Sequence, residues 1–340
     1  MDIDGGNACA SNDRVKRLTS MTSVDLKRKR PTLKDLAAAT GLSTAGAHYA
    51  LRGERASADT VRRVRAEAHR IGFRSDPVAR ALRGGSSGLV GVVGGSLHDY
   101  WHQQFAADLA RELETDGRRM LLADAGGDHA AQIDTANRLL DHRVDGLVVL
   151  PVDALSPDWR DVVAGVPTVA VGAPLPPPSG SVRFAAAAGI RLMLEHLHGL
   201  GHEQVLILSP PVHQVPAAEG YAVASCGFAP QEAQAVALEA LRSPTPPTAL
   251  FGLTDAIAYG ALGACRELGL SVPGDVSVAG FDDHPLSKLL DPALSTIGWD
   301  TPRVAAATAR ILNRAFADGA TPGSVEFSPT LVLRASTGAA

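Results

Sequence analysis

The sequence predicts two different folds in one chain: a small all-α head and, after it, a larger α/β body with two lobes of doubly wound parallel sheet. Helix caps and helical spacing of apolar residues between 32 and 73 predict the head. The body is predicted because strands and helices alternate from Leu89 onward. The charge changes at the same point, since residues 24–85 carry 14 Lys/Arg against 6 Asp/Glu and residues 86–340 carry 15 against 27. We therefore expect any contact with nucleic acid phosphates to be confined to the head.

The length of 340 residues allows two or three domains. Residues 1–30 are polar and without periodicity, which predicts a disordered tail. No apolar run reaches the roughly 18 residues of a membrane span, and the N-terminus lacks the apolar core of a secretory signal. Three scattered cysteines do not form a disulfide framework. Together these features predict a cytoplasmic protein without a membrane partner.

Three short helices are predicted in residues 31–74. Thr32 can cap the first helix, which ends at Gly41, and Ser43 can cap the second. The third helix is predicted over 58–71, with Ser57 as its cap. Because only three or four residues separate the first two helices, we predict a helix-turn-helix whose second helix enters a DNA major groove.

The body is predicted from 88 to 338, with strands expected at 89–95, 118–125, 144–151, 166–173, 204–210, 248–255, 275–283 and 325–336. Its first lobe is expected to comprise residues 88–178 and 301–322, and its second lobe residues 179–300 and 323–338. Two such lobes joined by several crossovers resemble periplasmic binding proteins. A ligand would then lie in the cleft between the lobes, at the carboxyl ends of the strands.

The same residues resemble the LacI/GalR family of transcriptional regulators. The matching motifs are TLKDLA at 32–37, GLS at 41–43, GFR at 72–74, VARALR at 78–83 and RAST at 334–337. The resemblance covers roughly residues 31–338. It implies a regulator, expected to be a repressor, that binds a near-palindromic double-stranded DNA operator as a homodimer and responds to a small-molecule effector.

The resemblance also implies which residues contact DNA. Thr44, Ala45 and Tyr49 lie where the family places its sequence-discriminating side chains, although the family usually has Arg in place of Tyr49. Ser43 and Thr60 are expected to contact phosphates, or to act only as helix caps. The complete set of candidate DNA contacts is Thr32, Ser43, Thr44, Ala45, His48, Tyr49, Arg52, Thr60, Ala79, Leu82 and Arg83.

Residues 75–87 are predicted to hold a hinge helix and a linker. A helix of about seven residues is too short to be stable alone, so we expect it to form only when paired with its twin on DNA. The resemblance implies that Leu82 inserts into the minor groove at the operator centre, where apolar wedges kink the duplex. The alternative is an ordinary linker.

Polar and aromatic residues at predicted strand ends suggest an effector site. Asp99, Tyr100, Trp101 and His102 follow the first strand and precede a helix predicted over 105–116, so Trp101 would be an exposed aromatic residue on a cleft loop. Asp255 and Asp282 end two strands of the second lobe. Carboxylates that accept hydrogen bonds from hydroxyls would suit a sugar. Alternatively, Asp255 is a helix N-cap and Asp282 belongs to a structural turn.

The effector site departs from the family pattern. Ala185 and Ala186 replace a usual Asp-Asn pair, Ala217 falls where an effector-clamping Arg is expected, and the stretch between about 212 and 230 is shortened. A helix and a strand of the second lobe would therefore be cut down. We hypothesise a less polar or atypical ligand, and a regulator that binds DNA constitutively is the alternative.

No enzyme is predicted. The sequence has no recognisable nucleophile elbow and no dinucleotide-binding glycine motif. His196, His198 and His202 do not share one helical face, so neither a metal nor a cofactor is predicted. A small-molecule binding module without a DNA role is a weaker alternative, since it leaves the basic head unexplained.

Overall fold

A computed structural model of the protein describes residues 31–73, 86–210, 215 and 217–340. The chain divides into two compact units, Met1–Ala79 and Arg80–Ala340. The tail at 1–30 and the predicted hinge-helix residues Ala79, Leu82 and Arg83 lie outside the described residues. None of the helices in the described part is both long and apolar enough to cross a bilayer.

The head consists of three helices, as predicted: α1 Leu33–Thr40, α2 Thr44–Arg52 and α3 Ala58–Ile71. Each begins at a predicted capping side chain and ends at a glycine with positive φ. At α1 the cap is reciprocal, because the Thr32 hydroxyl accepts from the Asp35 amide while the Asp35 carboxylate accepts from the Thr32 amide at 2.7 Å. A small core forms where the helices meet, from Leu36, Ala50, Val64 and Ala68.

The body alternates strands and helices. Its strands are β1 Leu89–Gly94, β2 Arg119–Asp124, β3 Gly146–Val149, β4 Thr168–Gly172, β5 Gly180–Phe184, β6 Val205–Ser209, β7 Ala222–Ser225, β8 Ala249–Gly252, β9 Ser277–Asp282, β10 Ser295–Gly298, β11 Ser324–Phe327 and β12 Thr330–Val332. Its helices are α4 Tyr100–Thr115, α5 His129–Asp141, α6 Trp159–Gly165, α7 Ala186–Gly199, α8 Pro230–Leu241, α9 Asp255–Leu268 and α10 Thr301–Asp318, with a 3-10 helix at Pro285–Lys288.

Two six-stranded sheets organise these elements into the two predicted lobes. The first has the order β11-β5-β4-β3-β1-β2 with parallel pairing throughout. The second has the order β12-β10-β9-β8-β6-β7 and is parallel except for β12, which runs antiparallel to β10. In each sheet the carboxyl ends of the parallel strands share one edge, which is where binding sites of open α/β sheets lie.

The predicted lobe boundaries are wrong in two places. Residues 180–184 are predicted in the second lobe. They form β5, which pairs with β4 in the first sheet from Val169 opposite Gly180 onward. Strand β11, also assigned to the second lobe, pairs with β5 in the first sheet. The backbones come so close at Gly180 that a side chain there would collide with Pro322 and Gly323. This non-local pairing leaves no local pattern in the sequence.

The stretch of the second lobe that was predicted to be shortened contains a short strand. The strand in this stretch is β7, which has only four residues and is parallel to β6. No helix precedes β7 within residues 210, 215 and 217–221. Instead Ala218, with Val215, Ala217 and Tyr221, packs against the apolar core beside β6. Apolar side chains from the described part of this connection thus contribute to the core of the body.

Candidate functional site

Helix α2 presents one polar face to solvent. Thr44 and Ala45 are exposed, His48 and Tyr49 are partly exposed, and Arg52 is exposed one turn further on. This spacing places the five side chains on one side of the helix, while Ala47 and Ala50 on the other side are fully buried. The structure therefore groups the predicted base-contacting residues on a single accessible face.

A residue that the sequence reasoning missed adjoins this face. The guanidinium of Arg55 lies over the Tyr49 ring, 5.1 Å from its centroid. Arg55 has φ of +48°, a backbone conformation that turns the chain directly after the helix. Arg52 is already paired, since its Nε lies 2.8 Å from the Glu54 carboxylate. The sequence signal was the run Arg52-Gly53-Glu54-Arg55, in which only the first arginine was considered.

The three hydroxyl residues at the helix starts have structural partners. The Ser43 hydroxyl accepts from the Gly46 amide at 3.0 Å, which confirms its role as the α2 cap. Thr60 is not a cap, because Ser57 caps α3 and the two hydroxyls lie 2.9 Å apart. Phosphate contacts by Thr32, Ser43 and Thr60 stay predictions, and helix N-termini are suited to them.

In the body, the predicted cleft residues 100–102 lie in a helix and not in a loop. Asp99 caps α4 by accepting from the Trp101 amide at 2.9 Å, so the helix begins at Tyr100. The expectation that Trp101 is an exposed aromatic residue on a loop is wrong. Its side chain is only 7% exposed and stacks on Phe105, with ring centroids 5.3 Å apart. The physical reason is the early cap, which places Trp101 one turn before Phe105 on the buried face of the helix.

Of the remaining residues of this segment, Tyr100 contacts the second lobe, whereas His102 contacts the first lobe. The Tyr100 ring lies 5.6 Å from His284 and 6.0 Å from Tyr259, both in the second lobe. His102 hydrogen-bonds the Ser96 carbonyl through Nδ1 at 2.8 Å, and its Nε2 lies 3.9 Å from Asp99. Side chains from separate strand ends therefore meet between the lobes, as predicted.

Asp282, at the end of β9, is the acidic residue of the second lobe in this cleft. Its φ of +109° is strained for a residue other than glycine. Burial raises the pKa of Asp282 well above its ordinary value, and the negative charges of Asp99 and Asp255 raise it further. The indole of Trp299 donates a hydrogen bond to Asp282 and acts in the opposite direction. A strained, partly buried carboxyl with a shifted pKa is typical of a functional position.

The Asp255 side chain is hydrogen-bonded within the second lobe, and its contact with an effector stays a prediction. Asp255 is not the N-cap, because the Thr254 hydroxyl caps α9 by accepting from the Ile257 amide at 3.2 Å. The Asp255 side chain, in a residue 2% exposed, accepts from the hydroxyl of Thr296 at 2.6 Å, the hydroxyl of Ser287 at 2.5 Å and the amide of His284 at 2.7 Å. Burial raises the pKa of Asp255 to about 7, although these hydrogen bonds lower it. Both oxygens are thus occupied within the protein.

Several cleft residues were missed by the sequence reasoning. Phe184 ends β5 and contacts Trp101 edge-on, with ring centroids 5.2 Å apart, and it lies 4.8 Å from Trp299. Phe184 and Trp299 follow two strands, β5 and β10, that were not predicted. His284 directly follows the Asp282-Asp283 pair, so its position beside the candidate site was the available signal.

The histidines near the end of α7 have partners within the protein. His196 lies 3.0 Å from the Thr337 hydroxyl, and buried His202 hydrogen-bonds Thr248 and Ser277, each at 2.9 Å. Among the residues that the structure describes, no group of three or more His, Cys, Asp or Glu side chains is arranged to hold a metal ion.

Comparisons with known proteins agree with this architecture. The profile of the periplasmic binding protein-like domain matches residues 194–337. The HTH-type transcriptional regulator MalR of Streptomyces coelicolor is 30% identical over 344 residues, which covers 91% of this chain and 97% of that protein. The ribose operon repressor of Escherichia coli K12 is 25% identical over 288 residues, covering 78% and 87%. The crystal structure of the lac repressor dimer bound to operator and the anti-inducer ONPF superposes with a TM-score of 0.77, at 27% identity, over 92% of this chain and 100% of that one.

The raised pKa of Asp255 predicts how stability depends on pH. In the unfolded chain this carboxyl titrates near 3.8, and in the folded body at about 7. Between these values the unfolded chain has lost a proton that the folded body keeps, so the free energy of unfolding falls as pH rises from about 4 to about 7. The loss from this group is about 4 kcal/mol at most, at 1.36 kcal/mol per pKa unit.

Asp255→Asn should make the decline in the free energy of unfolding with rising pH shallower. Urea unfolding midpoints between pH 5 and pH 8 measure this decline. Asp318→Asn serves as the control, because Asp318 is exposed and paired only loosely with Arg314. Parallel pH curves for wild type and Asp255→Asn would contradict the assignment.

Proposed function

The chain belongs to the LacI/GalR family of transcriptional regulators, and we propose that it represses transcription by binding a near-palindromic operator as a homodimer. The observation that carries this proposal is the single exposed face of α2, formed by Thr44, Ala45, His48, Tyr49 and Arg52. A short, capped helix that presents polar side chains from a small basic module fits the major groove. Two-fold symmetry of a homodimer requires a two-fold symmetric operator.

The composition of this face predicts an operator with few guanine contacts from α2. Thr44 offers a hydroxyl or a methyl group, and Ala45 can only contact a thymine methyl. Tyr49 replaces the arginine that would form a bidentate contact with guanine. The Arg55 guanidinium already lies over the Tyr49 ring. We propose that Arg55 contacts a phosphate and thereby holds Tyr49 in place, since phosphate contacts position a protein without specifying sequence.

Selection from random duplexes should recover an inverted repeat. Tyr49→Ala is expected to weaken binding to the selected operator by roughly 10- to 100-fold, the loss typical of a base contact, while binding to random duplex stays nearly unchanged. Fluorescence anisotropy at moderate salt measures both affinities.

Arg314→Ala is the matched control, because Arg314 is an exposed cation on the body and should not contact DNA. If no duplex sequence were enriched over random competitor, the proposed function would be refuted.

We assign the homodimer contact to a turn in the second lobe. Leu286 and Leu289, on and beside the 3-10 helix after β9, are 45% and 73% exposed. A surface cavity of about 450 Å³ lies close by, lined among others by Tyr259, Leu262 and Leu290. Exposed apolar side chains beside an apolar cavity favour a protein contact, and a second copy of the chain would offer the same complementary pair of features. The lac repressor structure to which the chain is similar is a dimer, which supports this choice of partner.

Leu289→Asp is expected to convert the dimer to a monomer, because it places a charge in an apolar contact. Analytical ultracentrifugation would show half the mass, and operator affinity should fall with it. Leu155→Asp is the control, since Leu155 is 94% exposed in the first lobe, away from this turn. A dimer that persisted in Leu289→Asp would place the contact elsewhere.

The cleft supports a ligand that is less polar than a simple sugar. Carboxyl groups are provided by Asp99 and Asp282, and aromatic surface by Tyr100, Phe184 and Trp299. The buried indole N–H of Trp101 has no hydrogen-bond partner within the described residues, which favours a ligand or water acceptor because an unpaired buried donor is costly. Ala185, Ala186 and Ala217 provide no polar side chains where a sugar would need them.

Isothermal titration with ribose or glucose should show no saturable binding in the micromolar-to-millimolar range. A ligand found by thermal-shift screening of metabolites should instead bind wild type and lose affinity in Asp282→Asn. Ordinary binding of either sugar would contradict the less polar cleft. If no ligand changed operator affinity, the constitutive alternative would replace effector control.

A further inference from the structure

The chain enters the body through a dense hydrogen-bond cluster around Asp145. One oxygen of its carboxylate accepts from the Ser87 amide at 2.7 Å and the Ser87 hydroxyl at 2.9 Å. The other accepts from the Ser86 hydroxyl at 2.6 Å, the Gly88 amide at 2.9 Å and Nη1 of Arg118 at 2.9 Å. These five donors use the full acceptor capacity of a carboxylate. The three residues before β1 are therefore held by one side chain.

This cluster keeps Asp145 ionised. Burial would raise the pKa of Asp145, but the hydrogen bonds from Ser86, Ser87 and Gly88 outweigh it and hold the pKa below its ordinary value. Backbone bonds continue the attachment, since the Arg119 amide donates to the Gly88 carbonyl at 2.8 Å. The point at which the chain joins the first sheet is thus strongly defined.

Arg118 connects the cluster to the crossover helix α10. Its guanidinium lies over the Phe316 ring, 3.9 Å from the centroid. The same ring packs on Gly146, where a Cβ atom would come within 2.8 Å of it. Asp116, two residues before Arg118, accepts from the Asn313 amide group of α10 at 2.5 Å. The last turns of α10 therefore pack against the side chain and the backbone that hold Ser86–Gly88.

Helices α4 and α10 both extend from the cleft to this cluster. Helix α4 begins at Tyr100, beside Asp99, and ends at Thr115. Helix α10 begins two residues after Trp299, which donates to Asp282, and its 18 residues span about 27 Å. The two helices pack against each other. The last turns of α10, which carry Phe316, are thus supported by their packing against α4.

We propose that Asp145, Arg118 and Phe316 form a linker clamp, which positions the segment joining the DNA-binding head to the body. The inference rests on the proposed function, because the clamp acts on operator binding. With the clamp in place, the linker leaves the body from one defined point, so less conformational freedom is lost when two heads bind one operator.

A purely structural role for Asp145 makes a different prediction. In that case its loss would lower the stability of the first lobe and leave the DNA affinity of folded protein unchanged. If the clamp acts as proposed, loss of Asp145 lowers the affinity for the complete operator, which needs two positioned heads. The affinity of one head for a single half-site is then unchanged.

The test uses the full chain with Asp145→Asn, which keeps the side-chain size but removes the charge and one acceptor. Hydrogen–deuterium exchange should show lost protection at the Ser87 and Gly88 amides. Affinity for the complete operator should fall roughly tenfold through lost preorganisation, while affinity for a single half-site stays within about twofold. Asp134→Asn is the matched control, because Asp134 lies in the same lobe, is exposed and is paired only with Arg138.

A second variant, Phe316→Leu, leaves the carboxylate intact and removes the ring beneath Arg118. It should lower operator affinity in the same direction and keeps the test decisive if Asp145→Asn does not fold. The inference is overturned if protection is lost while operator affinity is unchanged, or if operator and half-site affinities fall equally. Failure of the proposed function would look different, because wild type itself would then show no sequence preference.

Discussion

The burial of one carboxyl group, Asp255, organises the functional edge of the second lobe. Its oxygens collect donors from His284, Ser287 and Thr296. Through His284 this network reaches Tyr100 in the cleft, and through Ser287 it reaches Tyr259 beside the proposed dimer surface. A Cβ at residue 280 would collide with the Asp255 carboxylate, so this arrangement also requires Gly280. Removing one partner would leave a buried polar group unpaired, which costs more than the hydrogen bond itself contributes. The cleft and the proposed dimer turn therefore share one hydrogen-bond network.

Asp255 and Asp145 show how similar hydrogen bonding accompanies opposite shifts in pKa. Asp145 is only partly buried, and burial raises its pKa less than the hydrogen bonds from Ser86, Ser87 and Gly88 lower it. Asp255 is almost fully buried, so desolvation outweighs the hydrogen bonds from its neutral donors and its pKa rises. The proposed linker clamp of the first lobe thus contains a carboxylate whose charge is stabilised, whereas the proposed dimer turn and the cleft of the second lobe are linked by a carboxyl whose charged form is disfavoured by burial.

Local signals predicted most of the head and much of the body. The caps at Thr32, Ser43 and Ser57 act within one helical turn, so the sequence alone located the three head helices. Strands β5, β7 and β10 were missed because they are short and contain Gly, Ala, Ser or Thr, and only pairing with distant strands defines them. The error at Trp101 had a local cause, since the Asp99 cap was not recognised and the helix was started at Phe105.

The candidate DNA face could be predicted from local sequence, whereas most of the cleft could not. The face of α2 depends on helical spacing within nine residues, so its members could be named before the fold was known. The cleft depends on where five or more separate strands end, and its aromatic side chains, Phe184 and Trp299, follow strands that no local pattern revealed. Yet Ala185, Ala186 and Ala217 could be identified from the sequence alone as cleft positions without a polar side chain. Phe184, directly before Ala185, packs its ring against Trp101 and Trp299, and burial raises the pKa of Asp282, which favours the neutral carboxyl. Both changes lower the polarity of the cleft, which favours a ligand whose apolar surface contributes as much to binding as its hydrogen bonds do.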